Sequence, residues 1–175
     1  MRIVSSVTSI PSLRAKRTCL RDFIFGASTC WFEDCTILSK KNSYVTAAST
    51  PENEEFGYIF NNCRLIHNEE VQKVYLGRPW RSFAKTVFIN CHLGDHILPE
   101  GWHNWNKPYA EKTAFYAEYG SKGPGAASEG ERVRWSHTLK TKDLKKYTPQ
   151  NVLQCGSEQD KHGKDVKTEW YFKVF

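Results

Sequence analysis

One pattern occurs three times in the chain at a fixed spacing: WFEDCTI at residues 31–37, IFNNCRL at residues 59–65 and VFINCHL at residues 87–93. A looser copy, AFYAEYG, follows at residues 114–120. Apolar and polar positions alternate in each copy, which is the period of a half-buried β-strand rather than of a helix. Equivalent residues are 28 positions apart, as in Phe32, Phe60, Phe88 and Tyr116.

A strand segment that recurs every 20–50 residues or so is typical of stacked repeat proteins. The repeat therefore predicts an all-β fold, a right-handed parallel β-helix in which successive coils lie about 4.8 Å apart. A second apolar strand precedes each copy in CLRDFIFG, YVTAAS and KVYLGRPW, which begin at Cys19, Tyr44 and Lys73. An antiparallel sandwich would need hairpin turns, and the sequence has no Asn-Gly or Asp-Gly pair.

The same period predicts a ladder of cysteines. Cys35, Cys63 and Cys91 occupy equivalent positions, and small apolar side chains of this kind suit the inside of successive coils. Free buried thiols are the favoured interpretation, and a disulfide among them is the alternative. A metal site is the least favoured, because the chain has no CxxC pair.

Composition divides the chain into three parts. Residues 1–20 have basic but no acidic side chains and lack the apolar stretch of a secretory signal. Residues 21–153 hold the repeat and form the expected β-helix domain, and residues 154–175 form a mostly polar C-terminal tail. No apolar run approaches the roughly 20 residues that cross a bilayer, so no membrane association is predicted.

The formal net charge of +6 favours an anionic partner. Nucleic acid is not predicted, because the chain shows no basic stripe with interleaved aromatic residues. An acidic polysaccharide remains compatible with this charge.

Two motifs suggest a functional site. DFIFG at Asp22–Gly26 places an aspartate in an apolar strand, which is costly unless the environment uses its charge. LGRPW at residues 76–80 places Arg78 and Trp80 on either side of a proline, a residue that strands accept only at edges, bulges or ends. Asp22 and Arg78 are two repeats apart, so connections of equal length would put them on one face. Arg78 would then keep Asp22 ionised; the alternative is a buried ion pair that only joins two coils.

Five motifs occur in this order: DFIFG, LGRPW, GWHNW, FYAEYGSKGPGA and RVRW. Through these motifs the chain resembles the pectin methylesterases (pectinesterases) over residues 21–153. The resemblance implies an aspartyl esterase that hydrolyses the methyl esters of polygalacturonate to pectate and methanol in cell wall modification. It makes Asp22 the nucleophile and Arg78 the residue that orients Asp22. It also assigns sugar contact to Trp80 and Phe25, implies no metal or cofactor, and places the protein outside the cell or in the periplasm.

The chain departs from this family before Asp22. Family members carry a Gln-Asp pair one coil earlier, with a further glutamine upstream, for acid–base chemistry and oxyanion stabilisation. Here no Asp, Glu or Gln precedes Asp22, and a missing general acid alone costs about 10²–10⁴ in rate. We therefore expect the N-terminal coils to be missing, slow or absent turnover, and self-association through an uncapped end of the β-helix.

Other functions stay open at this point. The main alternative is a non-catalytic β-helix module that binds acidic polysaccharide; a lyase or glycosidase of the same architecture is a more distant one. His92 and His96 are four residues apart, but a strand or loop does not bring them to one metal. Trp102 and Trp105 either extend a sugar platform or pack in the core.

Overall fold

The computed structural model of the protein describes residues 22–128 and 130–153, and two short strands at residues 158–159 and 165–166. The basic segment at residues 1–20 lies outside the described residues, as does most of the C-terminal tail. No helix in the described part of the chain is long and apolar enough to cross a bilayer.

Short strands follow one another around successive coils. The first coil contains β1 (Asp22–Gly26), β2 (Cys30–Glu33) and β3 (Thr36–Ser39). The second contains β4 (Ser43–Ala48), β5 (Tyr58–Asn61) and β6 (Arg64–His67), and the third contains β7 (Val74–Pro79), β8 (Lys85–Ile89) and β9 (His92–Leu93). The rest of the chain adds β10 (Phe115–Tyr119), β11 (His137–Thr138), β12 (Glu158–Gln159) and β13 (Asp165–Val166). Two 3-10 helices, Pro108–Lys112 and Thr141–Lys146, and the short helix α1 (Pro149–Val152) complete the described elements.

Equivalent strands of successive coils pair in parallel. The first sheet has the order β1-β4-β7, the second β2-β5-β8-β10-β11 and the third β3-β6-β9. Only β12 and β13 pair antiparallel among the described strands. The chain is a parallel β-helix, as the repeat predicts.

The 28-residue period sets the register of the second sheet. Phe32 pairs with Phe60 and Phe60 with Phe88, and their rings stack with centroids 4.5 and 4.4 Å apart. The predicted continuation to Tyr116 is wrong by two residues. Phe88 pairs with Glu118 because the next connection is two residues longer, and Tyr116 is level with Thr86 instead.

A left-handed residue makes the turn between the second and third sheets in each coil. Asp34, Asn62 and Asn90 have φ values of 50°, 52° and 52°. Short polar side chains tolerate this conformation better than other non-glycine residues. The repeated Asp or Asn before each cysteine therefore has a conformational cause.

The cysteines that follow these turns stack as predicted. The amides of Arg64 and His92 donate to the carbonyl oxygens of Cys35 and Cys63, each at 2.8 Å. Cys63 and Cys91 are buried, Cys35 is partly buried, and all three are free thiols. The ladder fills the coil interior together with Leu65 and Leu93.

The register of the first sheet differs from the one we expected. Asp22 pairs with Tyr44, which pairs with Tyr75, whereas Phe25 is level with Ala47 and Arg78. The assumption of connections of equal length was therefore wrong, since these strands are offset by 22 and then 31 residues. The extra residues lie in the connections after β4 and β6.

Candidate functional site

A local irregularity in β7 determines which side chains reach the outer face of the first sheet. Leu76 is buried in the core, and a side chain added at the next residue, Gly77, would approach the core residue Trp102 to 3.2 Å. Two consecutive positions therefore point inwards. As a result Tyr75 and Arg78, three residues apart, both lie on the outer face.

Arg78 is enclosed by aromatic rings. Its side chain is 4% exposed, and its guanidinium carbon lies 3.7 Å from the ring centroid of Trp105, 5.0 Å from that of Trp80 and 5.2 Å from that of Tyr44. Cations over aromatic faces are attracted by the ring quadrupole, by about 2 kcal/mol or more where water is excluded. The rings hold a permanent positive charge at a fixed point beneath the surface.

Two tryptophans cover this charge and remain open to solvent. Trp80 and Trp105 stack with centroids 5.5 Å apart and are 41% and 38% exposed. Lys107 bridges them, because its ammonium lies 4.7 Å from the Trp105 ring and donates to the Trp80 carbonyl oxygen at 2.9 Å. Partial burial, and then the neighbouring Arg78 and Arg81, lower the pKa of Lys107. Trp80 and Trp105 form a flat aromatic surface over the positively charged guanidinium of Arg78.

Three further rings extend this surface along the coils. Tyr44 stacks on Tyr75 at 5.5 Å between centroids, and Tyr75 stacks on His103 at 5.1 Å. The Tyr44 hydroxyl and His103 Nδ1 share a hydrogen bond of 2.8 Å. This stack fixes the position of the Tyr44 ring against which the Arg78 guanidinium lies.

Of the four residues proposed from the motifs, the structure describes the side chains of Arg78, Trp80 and Phe25. Phe25 is level with Arg78 in the register and is 73% exposed, and Trp80 lies directly over the Arg78 guanidinium. The backbone of Asp22 belongs to β1 beside Tyr44, but its side chain lies outside the described residues. The approach of the Asp22 carboxylate to Arg78 therefore stays a prediction.

Sequence reasoning left the roles of two tryptophans open and missed other members of the site. Trp102 is 1% exposed and packs in the core, whereas Trp105 joins the aromatic surface. Tyr44, Tyr75 and His103 were not singled out, because the unequal connections hide their shared ladder position. The positive φ of Trp105, 52°, comes from an irregular turn that has no signal in the repeat.

The two histidines that the sequence compared lie in different environments. His92 is exposed on β9, and His96 is 1% exposed. Burial, and then the neighbouring His67, lower the pKa of His96 to about 4, so its ring is neutral at pH 7. His96 packs beside His67, a residue the sequence did not single out.

The profile of the pectinesterase family matches residues 17–156 of this chain. The chain belongs to the pectinesterase family. The probable pectinesterase/pectinesterase inhibitor 64 of Arabidopsis thaliana is 38% identical over 155 residues, which cover 77% of this chain and 26% of that protein. The resemblance drawn from DFIFG and LGRPW is confirmed.

Solved pectinesterase structures share the fold. Pectin methylesterase from carrot has a TM-score of 0.71 and 30% identity, and the match covers 79% of this chain and 48% of that one. A pectin methylesterase in complex with a hexasaccharide has a TM-score of 0.65 and 28% identity, with 77% of this chain and 48% of that one covered. The chain thus spans about a quarter of the curated relative and about half of each solved structure.

Proposed function

We propose that this chain is a pectinesterase that hydrolyses the methyl esters of polygalacturonate to pectate and methanol. The single observation that supports this most directly is Arg78, held beneath the exposed Trp80–Trp105 pair on the outer face of the sheet that contains β1. That sheet also contains the aspartate of the DFIFG motif. Membership of the family supports the same reaction, and pectin as the proposed substrate supports an extracellular or periplasmic location.

Asp22 is the proposed nucleophile. Its carboxylate attacks the C6 carbonyl carbon of a methylated galacturonate, the C–O bond to the methoxyl group breaks, and an acyl-enzyme anhydride forms. Methoxide takes a proton from solvent water and leaves as methanol. Water then attacks the anhydride and releases its protons to solvent, which returns the Asp22 carboxylate and leaves a free carboxylate on the sugar.

Arg78 is proposed to act on Asp22 and on the reacting carbonyl. A guanidinium beside a carboxylate favours the ionised form, which is the nucleophilic one. A fixed positive charge also stabilises the oxyanion that develops on the carbonyl oxygen. Both effects are strengthened by the aromatic rings around Arg78, because they exclude water and lower the local dielectric.

The aromatic residues provide the proposed binding surface. Trp80 and Trp105 present flat faces suited to pyranose rings, and Phe25 adds an exposed ring at the level of Arg78. Lys107 supplies a further positive charge for carboxylates already freed along the polymer. The solved relative in complex with a hexasaccharide supports an oligosaccharide-sized site.

A second candidate is a non-catalytic module that binds acidic polysaccharide. One observation favours it: the described aromatic and cationic groups around Arg78, namely Trp80, Trp105 and Lys107, are of the kind that binds an acidic sugar polymer. Under this alternative the chain binds methylated polygalacturonate but Asp22 has no chemical role.

The test measures methanol released from methylated pectin by the purified chain, with Asp22→Asn and Arg78→Gln variants alongside. Methanol release that both variants abolish supports the esterase. Binding of methylated oligogalacturonate without release above the Asp22→Asn background supports the binding module. If the chain neither binds methylated oligogalacturonate nor releases methanol, both proposed functions are contradicted. A matched control is Glu52→Gln, an exposed acid in the connection after β4 that lies outside the proposed site.

A further inference from the structure

A second group of polar side chains converges on the third sheet, away from the aromatic surface. His67, Asp95 and His96 each offer a ligand atom, and these atoms all lie within 4.8 Å of one another. His67 Nε2 is 2.8 Å from Asp95 Oδ1, and the two imidazole rings have centroids 4.5 Å apart. This is the only such group of three or more His, Cys, Asp or Glu side chains in the part of the chain that the structure describes.

The repeat itself brings the three residues together. His67 ends β6, and Asp95 follows it by 28 residues, one period later, just after β9. Gly94 begins the turn and donates to the Leu65 carbonyl oxygen at 3.0 Å. A side chain at Gly94 would come within 2.7 Å of His96 Nδ1, so glycine lets His96 fold back against the turn.

His96 is buried without hydrogen bonds. It is 1% exposed, and neither ring nitrogen has a hydrogen-bond partner among the described residues. A buried polar atom without a partner typically costs about 1–3 kcal/mol. A neutral imidazole carries a lone pair on one nitrogen, so a bound cation would satisfy an atom that the protein leaves unsatisfied.

The hydrogen bonds of His67 orient it as a ligand. Its Nδ1 lies 2.8 Å from the Asn68 carbonyl oxygen, which only accepts, so Nδ1 must carry the hydrogen. In the neutral ring the lone pair then belongs to Nε2, which faces an Asp95 oxygen that also only accepts. Two facing acceptors need either a proton or a metal ion between them. An imidazole fixed through a backbone carbonyl is the usual second-shell arrangement of metal-binding histidines.

We infer that His67, Asp95 and His96 form a binding site for a divalent transition-metal ion of the zinc class. Two imidazoles and one carboxylate are ligands that suit Zn²⁺, whereas Ca²⁺ and Mg²⁺ prefer oxygen ligands alone. The Asp95 side chain is 71% exposed and that of His67 is 25% exposed, so water has access to the remaining coordination positions. Small shifts of these side chains bring their ligand atoms to the zinc distances of about 2.0–2.2 Å.

The ion would link neighbouring coils of the β-helix. His67 belongs to the second coil, and the other two ligands belong to the turn that follows the third. Binding to the folded chain alone raises its stability by mass action. Arg78 lies on the first sheet and the metal ligands on the third, so we expect zinc to change thermal stability rather than pectin binding.

The experiment titrates Zn²⁺ into the metal-free 175-residue chain by calorimetry and follows thermal unfolding with and without Zn²⁺. We expect one ion per chain and a higher unfolding temperature with the ion. Asp95→Asn keeps the shape of an exposed side chain and should weaken affinity at least tenfold, as should His67→Gln. His92→Gln changes an exposed histidine outside the cluster and should bind as the wild type does.

Substitution with Co²⁺ gives a second readout, because its visible absorption reports the ligands directly. We expect a spectrum that changes in Asp95→Asn and is kept in His92→Gln. The inference is overturned if no saturable binding occurs below about 100 μM Zn²⁺. It is also overturned if Asp95→Asn and His67→Gln bind as tightly as the wild type, since the ion would then be held elsewhere, for example by cysteines. If either Asp95→Asn or His67→Gln unfolds in the metal-free state, the zinc affinity of the other variant tests the inference.

Discussion

The guanidinium carbon of Arg78 lies 3.7 Å from the ring centroid of Trp105, a residue of the next coil. The two coils meet at this point through a bridge between Gly77 and Trp102 and through the His103 amide, which donates to the Gly77 carbonyl oxygen at 3.1 Å. Trp105 is thereby carried over the cation of the LGRPW motif. The charge and its aromatic cover come from different coils, so stacking of the coils assembles the site.

Trp105→Ala should weaken the binding of methylated oligogalacturonate about tenfold, which corresponds to roughly 1.4 kcal/mol. The variant loses an exposed ring from the proposed binding surface and one of the cation–π contacts that hold Arg78. Calorimetric titration with a methylated oligogalacturonate measures the dissociation constant. Tyr109→Ala is the matched control, because Tyr109 is 59% exposed on the adjacent 3-10 helix and makes no ring contact with Arg78 within the described structure. Equal affinities for the two variants would contradict the proposed surface.

The sequence predicted the second sheet well because its repeat is regular. Phe32, Phe60 and Phe88 keep a constant spacing, and the Asp or Asn that follows two residues later sets the turn in each of the first three coils. Stacked rings 4.4–4.5 Å apart follow directly from such a period. Regular spacing predicts register wherever connections have constant length.

The first sheet was harder to predict because its connections vary. Nine residues join β4 to β5, whereas three join β1 to β2. Asp22 is consequently level with Tyr75 rather than with Arg78. The shared outer face of Tyr75 and Arg78 arises from two consecutive inward positions, Leu76 and Gly77, which strict alternation does not predict.

Gly77→Ala should destabilise the fold by about 1–3 kcal/mol, the usual cost of overpacking. The added methyl group would collide with Thr46 Oγ1 and would approach the Trp102 ring to 3.2 Å. Denaturant unfolding measures the free-energy difference. Combining the change with Thr46→Ala removes the colliding hydroxyl, so the penalty for Gly77→Ala should shrink by about 1 kcal/mol in a double-mutant cycle. If the effects of the two substitutions are strictly additive, the contact with Thr46 Oγ1 is not the cause of the lost stability.

Tyr44→Phe should lower the free energy of unfolding by about 0.5–1.5 kcal/mol, the net contribution of one hydrogen bond. The substitution removes the 2.8 Å bond to His103 Nδ1 but leaves the ring stacked on Tyr75. Chemical denaturation compares the variant with Tyr75→Phe, which alters the neighbouring ring without touching that bond. An equal loss in both variants would argue against a specific role for the His103 bond.

Phe60→Ala should destabilise the fold by about 3–5 kcal/mol. Phe60 is fully buried, and its ring lies between those of Phe32 and Phe88, so truncation leaves a cavity that neighbours on rigid strands cannot fill. A change of this size is a large share of the roughly 5–15 kcal/mol that stabilises a typical domain. The control is Phe25→Ala, which removes the same ring from a side chain that is 73% exposed and should shift stability by no more than about 0.5 kcal/mol. Unfolding midpoints in urea separate the two cases. Similar midpoints for both variants would show that the stacked phenylalanines are not the main source of stability in the second sheet.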